Sequence, residues 1–207
     1  MRGEMKSADK RKERGDRARA DILRCSTRMA SLEGLEGLTF GRVASEAGVA
    51  KSNVQVLFGD RETLQLATIE AGVDLYAETV VGPAMMKIGA VDRLIALVEG
   101  WYDFVEQRTL PGGCLIHALS SEYRTRPGDI RDRVERHRVE ARSRMVALLN
   151  DAISEGALRR DAEVDQIAFE LIAHQASANV AALMDEQEQF RRARLASGRL
   201  IQSIRSG

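Results

Sequence analysis

Disulfides, membrane spans and sheet are what this sequence argues against first. Only two cysteines, Cys25 and Cys114, occur in 207 residues. They form neither a paired framework nor a CxxC spacing, which points to a reducing compartment. No run approaches the roughly 20 apolar residues that a spanning helix needs; the most apolar helical stretch carries Glu170, His174 and Gln175. The first twenty residues are too polar for a secretory signal, so a cytoplasmic protein is expected. Aromatics make up 4% of the chain, and β-branched runs are scarce beside Ala, Leu, Arg and Glu, which favours an all-α fold. A nucleophile elbow, a phosphate loop, an HExxH pair and a carboxylate-rich cluster are all missing. No enzymatic activity, cofactor or metal is therefore expected.

What is present is charge, unevenly placed. The chain is neutral overall, yet residues 1–61 hold 13 Lys/Arg against 9 Asp/Glu, and residues 62–207 hold 18 against 22. A basic first third on a neutral chain suits a polyanion partner for that part alone. Residues 1–16 lack apolar periodicity and read as a flexible basic arm, either contacting phosphates or simply solvated.

The order of helices follows from apolar spacing. An amphipathic helix is predicted from Arg17 to about Leu32, with Ile22, Cys25, Met29 and Leu32 on its apolar face. Between Leu38 and Leu64 two short apolar segments meet at a glycine corner, Ala47-Gly48-Val49. Val43, Ala44 and Ala47 share one face before it, and Val54, Leu57 and Phe58 share one face after it. This is the pattern of a helix-turn-helix, with Thr39 as N-cap of its first helix. A further helix runs from Asp60 to about Val81, closed by Gly82-Pro83. Others are predicted at about 91–107, 114–123, 129–154, 164–184 and 188–203. The arginines of the 129–154 helix interleave with Asp132, Glu135 and Glu140, the pattern of a solvated face with helical ion pairs rather than a second polyanion site.

Residues 17–64 resemble the DNA-binding domain of the tetracycline-repressor-like family of bacterial regulators. The resemblance rests on Thr39, Gly48-Val49, the segment Lys51–Phe58, then Asp60, Arg61 and Glu62 in that order and spacing. The count of nine helices also fits, and Pro111-Gly112-Gly113-Cys114 looks like the regulatory-domain motif of a subgroup. The resemblance implies an arm at 1–16, a DNA-binding domain at 17–64 and a ligand-binding and dimerisation domain at 65–207. It implies a repressor that binds a palindromic operator in double-stranded DNA as a homodimer and is released by a small molecule. Thr39, Arg42, Lys51, Ser52, Asn53, Gln55 and Arg61 would contact DNA, with Asn and Gln suited to adenine and Lys to guanine. Two positions depart from the family: Gln55 stands where Tyr is common, and Leu57 where Tyr or His is.

In the second domain the large, soft or polar-tipped residues Trp101, Phe104, Cys114, His117, Tyr123 and His174 are the expected lining of an effector site. A dimerisation face is expected at Ala178, Ala181, Phe190, Ser197 and Ile201, on two long terminal helices with broad apolar faces. Cys114 and His117 at i, i+3 lack the further ligands a metal would need. Beside two glycines at a helix start, Cys114 is also a candidate redox thiol. The competing reading is a helical small-molecule or thiol sensor whose DNA recognition is altered or lost, prompted by Gln55 and Leu57.

Overall fold

The computed structural model describes the backbone of residues 2–206 and the side chains of residues 13–206. Among these residues the chain is all-helical. Helices α1 (Arg2–Glu33), α2 (Phe40–Glu46) and α3 (Lys51–Phe58) make an N-terminal head. Helix α4 starts as Arg61–Tyr76, passes without a break through a π-helical turn at Ala77–Val81 and ends as Gly82–Met85. Then follow α5 (Ala90–Glu106), α6 (Leu115–Glu122), α7 (Asp129–Ser154), α8 (Val164–Leu183) and α9 (Gln187–Ser203). With α4 counted as one rod, nine helices are described. None of them is long and apolar enough to cross a membrane.

Two boundaries differ from the sequence expectation. Helix α1 takes in the segment expected as an arm and begins at Arg2; Met1 lies outside the described residues. Lys, Arg, Glu, Met and Ala are strong helix formers, and extending an existing helix avoids the cost of nucleating one. An apolar stripe is needed for packing, not for that extension. Gly82-Pro83 does not close α4. Proline inside an α-helix lacks an N–H and crowds the carbonyl four residues back. Here the preceding turn is wider, and the Gly82 N–H reaches back five residues to the Ala77 carbonyl. The rod thus continues past Pro83.

The head is built around Ile22, Leu35, Leu38, Val43, Val54, Phe58 and Leu64, all buried. The inward face of α1 is rotated from the one expected: Leu32 is 62% exposed and the buried line runs through Ile22, Ser26, Thr27 and Ala30. Small hydroxyl residues decide this, because they let α1 and α4 approach closely and bond across the seam. The Ser26 and Thr68 hydroxyls share a hydrogen bond of 2.8 Å, and Thr27 Oγ1 donates to the Thr68 carbonyl. Beyond the head, Leu94, Leu97, Val98, Trp101, Leu119, Leu149 and Leu171 continue the same core. Arg194 locks α9 to α5 by pairing with Glu99, Asp103 and Glu106 at 2.6–3.0 Å. Glu70 of α4 accepts from Arg133 and faces His137 Nε2 on α7, which ties the exit helix of the head to the second domain.

Candidate nucleic-acid interface and regulatory interior

The head presents a polar helix face to solvent. Thr39 caps α2 as expected, its hydroxyl accepting the Arg42 N–H at 3.3 Å. The chain then reverses at Gly48, whose φ of +65° is left-handed backbone that a side chain would strain. Val54 and Phe58 are drawn into the head core, which fixes the rotation of α3. Lys51, Ser52, Asn53 and Gln55 consequently face outwards, as expected. The start of α3 has no side-chain cap, and the Asn53 N–H is taken by the Ala50 carbonyl at 2.9 Å. Val56 joins this face at 85% exposure. Its position, out of phase with Val54 and Phe58, was a signal available in the sequence and was missed.

The two arginines expected at DNA are engaged within the head. Arg42 donates to the Gly37 carbonyl and pairs with Glu33. Arg61 donates to the carbonyls of Leu38 at 2.9 Å and Glu36 at 2.6 Å, and pairs with the Glu36 carboxylate. Both guanidiniums therefore brace the loop that leads into α2.

Four of the six residues expected to line an effector site come together, joined by one that was not foreseen. Tyr76 of α4 lies edge-on to Phe104 at 5.7 Å, and Trp101 lies edge-on to His117 at 5.6 Å. The Cys114 thiol lies close to Trp101 and within electrostatic reach of Tyr76. Burial pushes the Cys114 thiol above its ordinary value and the Tyr76 hydroxyl likewise. Burial, aided by the Arg138 charge, pushes His117 down to about 4, so its imidazole is neutral at physiological pH. Tyr76, Cys114 and His117 retain some accessible surface although helices surround them. No hydrogen bond engages the Tyr76 hydroxyl or the His117 ring nitrogens among the described residues, and no fully buried side-chain polar atom is left unpaired. The Tyr76 hydroxyl and the His117 ring therefore keep some accessible surface where α4, α5, α6 and α7 meet. Tyr76 was legible only as one more residue beside the apolar stripe of α4.

The other two residues lie elsewhere. Tyr123 reaches the Glu36 carboxylate at 3.4 Å, under the Arg126 guanidinium and close to the head. His174 bonds Ser197, which bonds the Tyr102 hydroxyl, in the packed seam of α5, α8 and α9.

The expected dimerisation residues also turn away from solvent. Ala178, Ala181, Phe190, Ser197 and Ile201 are all buried within their own chain. Helices α8 and α9 are apolar on more than one side, and the side with the better-packed partners faces inwards. Their outer surface carries Phe169 and Val180 at 60–63% exposure on α8, Met184 at 68% just past its end, and Leu195 at 58% on α9.

Residues 90–197 match the family described as tetracyclin repressor-like, C-terminal domain. The chain belongs to the tetracycline-repressor-like family. Its fold is that of a transcriptional regulator of the family from Chloroflexus aurantiacus, with a TM-score of 0.86 and 21% identity over 94% of this chain and 100% of that one. A transcriptional regulator from Saccharomonospora viridis, solved with choline, aligns at 0.79 with 19% identity over 93% and 100%. AibR, solved with isovaleryl coenzyme A and operator DNA, aligns at 0.63 with 19% identity over 78% and 85%. No curated protein sequence matches the chain.

Proposed function

We propose that this member of the tetracycline-repressor-like family binds a two-fold operator as a homodimer, acts as a repressor there, and releases the operator when a small molecule enters the α4–α7 interior. The observation that carries the reading is the face of α3. Lys51, Ser52, Asn53 and Gln55 stand free on a helix whose rotation is fixed by Val54 and Phe58. A short, rigid helix with a basic, amide-bearing outer face is what a major groove accepts, and Val56 adds an apolar contact suited to a thymine methyl. Thr39, exposed at the start of α2, is placed in this reading at a phosphate.

The outer stripe of α8, running Phe169, Ala173, Ala176 and Val180, supports the homodimer. It spaces apolar and small residues at three and four along one outward line, exposed except at the half-buried Ala176, the form that a second copy covers. In the interior, a neutral imidazole, a phenol and a thiol offer hydrogen bonds without a fixed negative charge. That lining suits an uncharged, partly apolar effector. A thiol held protonated by burial is a poor redox sensor, which disfavours the thiol-sensing alternative.

Selection of bound duplexes from random DNA tests the reading. A site with two-fold symmetry is expected. Recovery of no common sequence from a correctly folded dimer would sink it.

A further inference from the structure

The turn Pro111-Gly112-Gly113-Cys114 touches two parts of the molecule that the proposed function must hold in register. On one side the Gly112 N–H donates to Ser31 Oγ of α1 at 3.1 Å. The backbones approach so closely there that a Cβ on Gly112 would stand inside the Ser31 carbonyl. On the other side the Cys114 N–H donates to Asn179 Oδ1 of α8 at 2.8 Å. A Cβ on Gly113, whose φ is +74°, would lie 2.5 Å from that same oxygen. Ser31 and Asn179 are both buried. Arg108, at the start of the same loop, donates to the Ala182 carbonyl near the end of α8. Helix α1 belongs to the head, and α8 bears the exposed stripe assigned above to the second copy.

We infer that this turn is the spacer that positions each head on the dimerising helix, so that Gly112, Gly113, Ser31 and Asn179 set the separation of the two recognition helices. The inference rests on the DNA-binding dimer proposed above. Moving one half-site by a single base pair shifts it by about 3.4 Å and turns it by about 35°. On the α1 side the junction leaves no room for a methyl group against backbone, and on the α8 side one would have to displace the hydrogen-bonded Asn179 amide, so the junction resists such a shift. Two glycines in succession are what permits it, since they alone let backbone meet backbone on the α1 side and an amide oxygen on the α8 side.

The test uses the full-length dimer and the operator that the wild type selects from random DNA, together with versions lengthened or shortened by one base pair between half-sites. Gly112→Ala forces a methyl into the Ser31 carbonyl and can fail to fold. Ser31→Ala and Asn179→Ala only delete atoms, so they carry the test. Each is expected to lower the preference for the selected spacing by about fivefold, the effect of one lost hydrogen bond. Sedimentation as a dimer and affinity for random DNA should not change. Unchanged spacing preference in both alanine variants would overturn the inference, as would an equal loss on every duplex. A wild type that selects no two-fold site would instead overturn the DNA-binding reading, and this inference with it.

Discussion

Replacing His117 by Gln probes the interior of the second domain through its pH dependence. Burial, with the Arg138 charge, holds the folded imidazole at about 4, against 6.5 in an unfolded chain. Above pH 6.5 the group is neutral in both states and adds nothing to the pH dependence. Below it the unfolded chain binds a proton that the folded one refuses, so stability falls as the pH drops from 6.5 towards 4 and then levels off. At about 1.36 kcal/mol per pH unit the gap corresponds to about 3 kcal/mol. Gln is close in size, keeps a polar tip and does not titrate. Urea unfolding at fixed protein concentration, at about pH 7.5, 6 and 4.5, measures the difference between the two proteins and cancels the carboxylates they share. Wild type and variant should agree within about 1 kcal/mol at the highest pH. At the lowest, the wild type should have lost about 2–3 kcal/mol relative to the variant. Parallel curves would show that His117 is solvated and would remove it from the proposed effector site.

Four further outcomes follow from the geometry. Asn53→Ala should relax preference at one base position by about 1–3 kcal/mol in a competition assay, with affinity for random DNA retained. Arg61→Ala should lower stability by about 1–2 kcal/mol in thermal unfolding, because three hydrogen bonds to the loop before α2 are lost. Intact stability with a flatter salt dependence of DNA binding would return Arg61 to a phosphate. Val180→Glu on the outer stripe of α8 should give a folded monomer in sedimentation, and a persistent dimer would remove that face from the interface. Ile201→Ala should cost about 2–5 kcal/mol of stability in urea unfolding with the dimer retained, since its side chain fills the core of its own chain.

The elements were legible where one period and one burial direction coincide. Val54 and Phe58 sit at i, i+4 and the polar Lys51, Ser52, Asn53 and Gln55 fall off their line, so most of the outer face of α3 is legible in the sequence. The Thr39 cap and the Gly48 corner were equally plain, because each depends on the chemistry of a single residue. Legibility failed where a helix is apolar on two sides. On α8 and α9 the pattern names Ala178, Ser197 and Ile201 as packing residues but does not say against what; only the placement of α5 shows that they face inwards. It failed again where a polar group has a partner far along the chain. The family pattern names Arg61 for DNA but not the carbonyls of Glu36 and Leu38 that also hold it, more than twenty residues earlier. Tyr123 was grouped with the effector site for its type, whereas Glu36 and Arg126 place it against the head. The buried line of α1 differs from the expected one because Ser26 and Thr27, hydrogen-bonded across to Thr68, pack as core.

The measurement that bears most directly on the central claim is the affinity of the wild type and of Asn53→Ala for the selected operator and for random duplex at one fixed salt concentration. Specific sites are typically bound about 10³-fold or more tightly than random DNA. The wild type should show such a ratio, with two chains per operator, and the variant should lose at least tenfold of it on the operator alone. A wild-type ratio near one, or an equal loss on both duplexes, would mean that the exposed face of α3 does not read sequence.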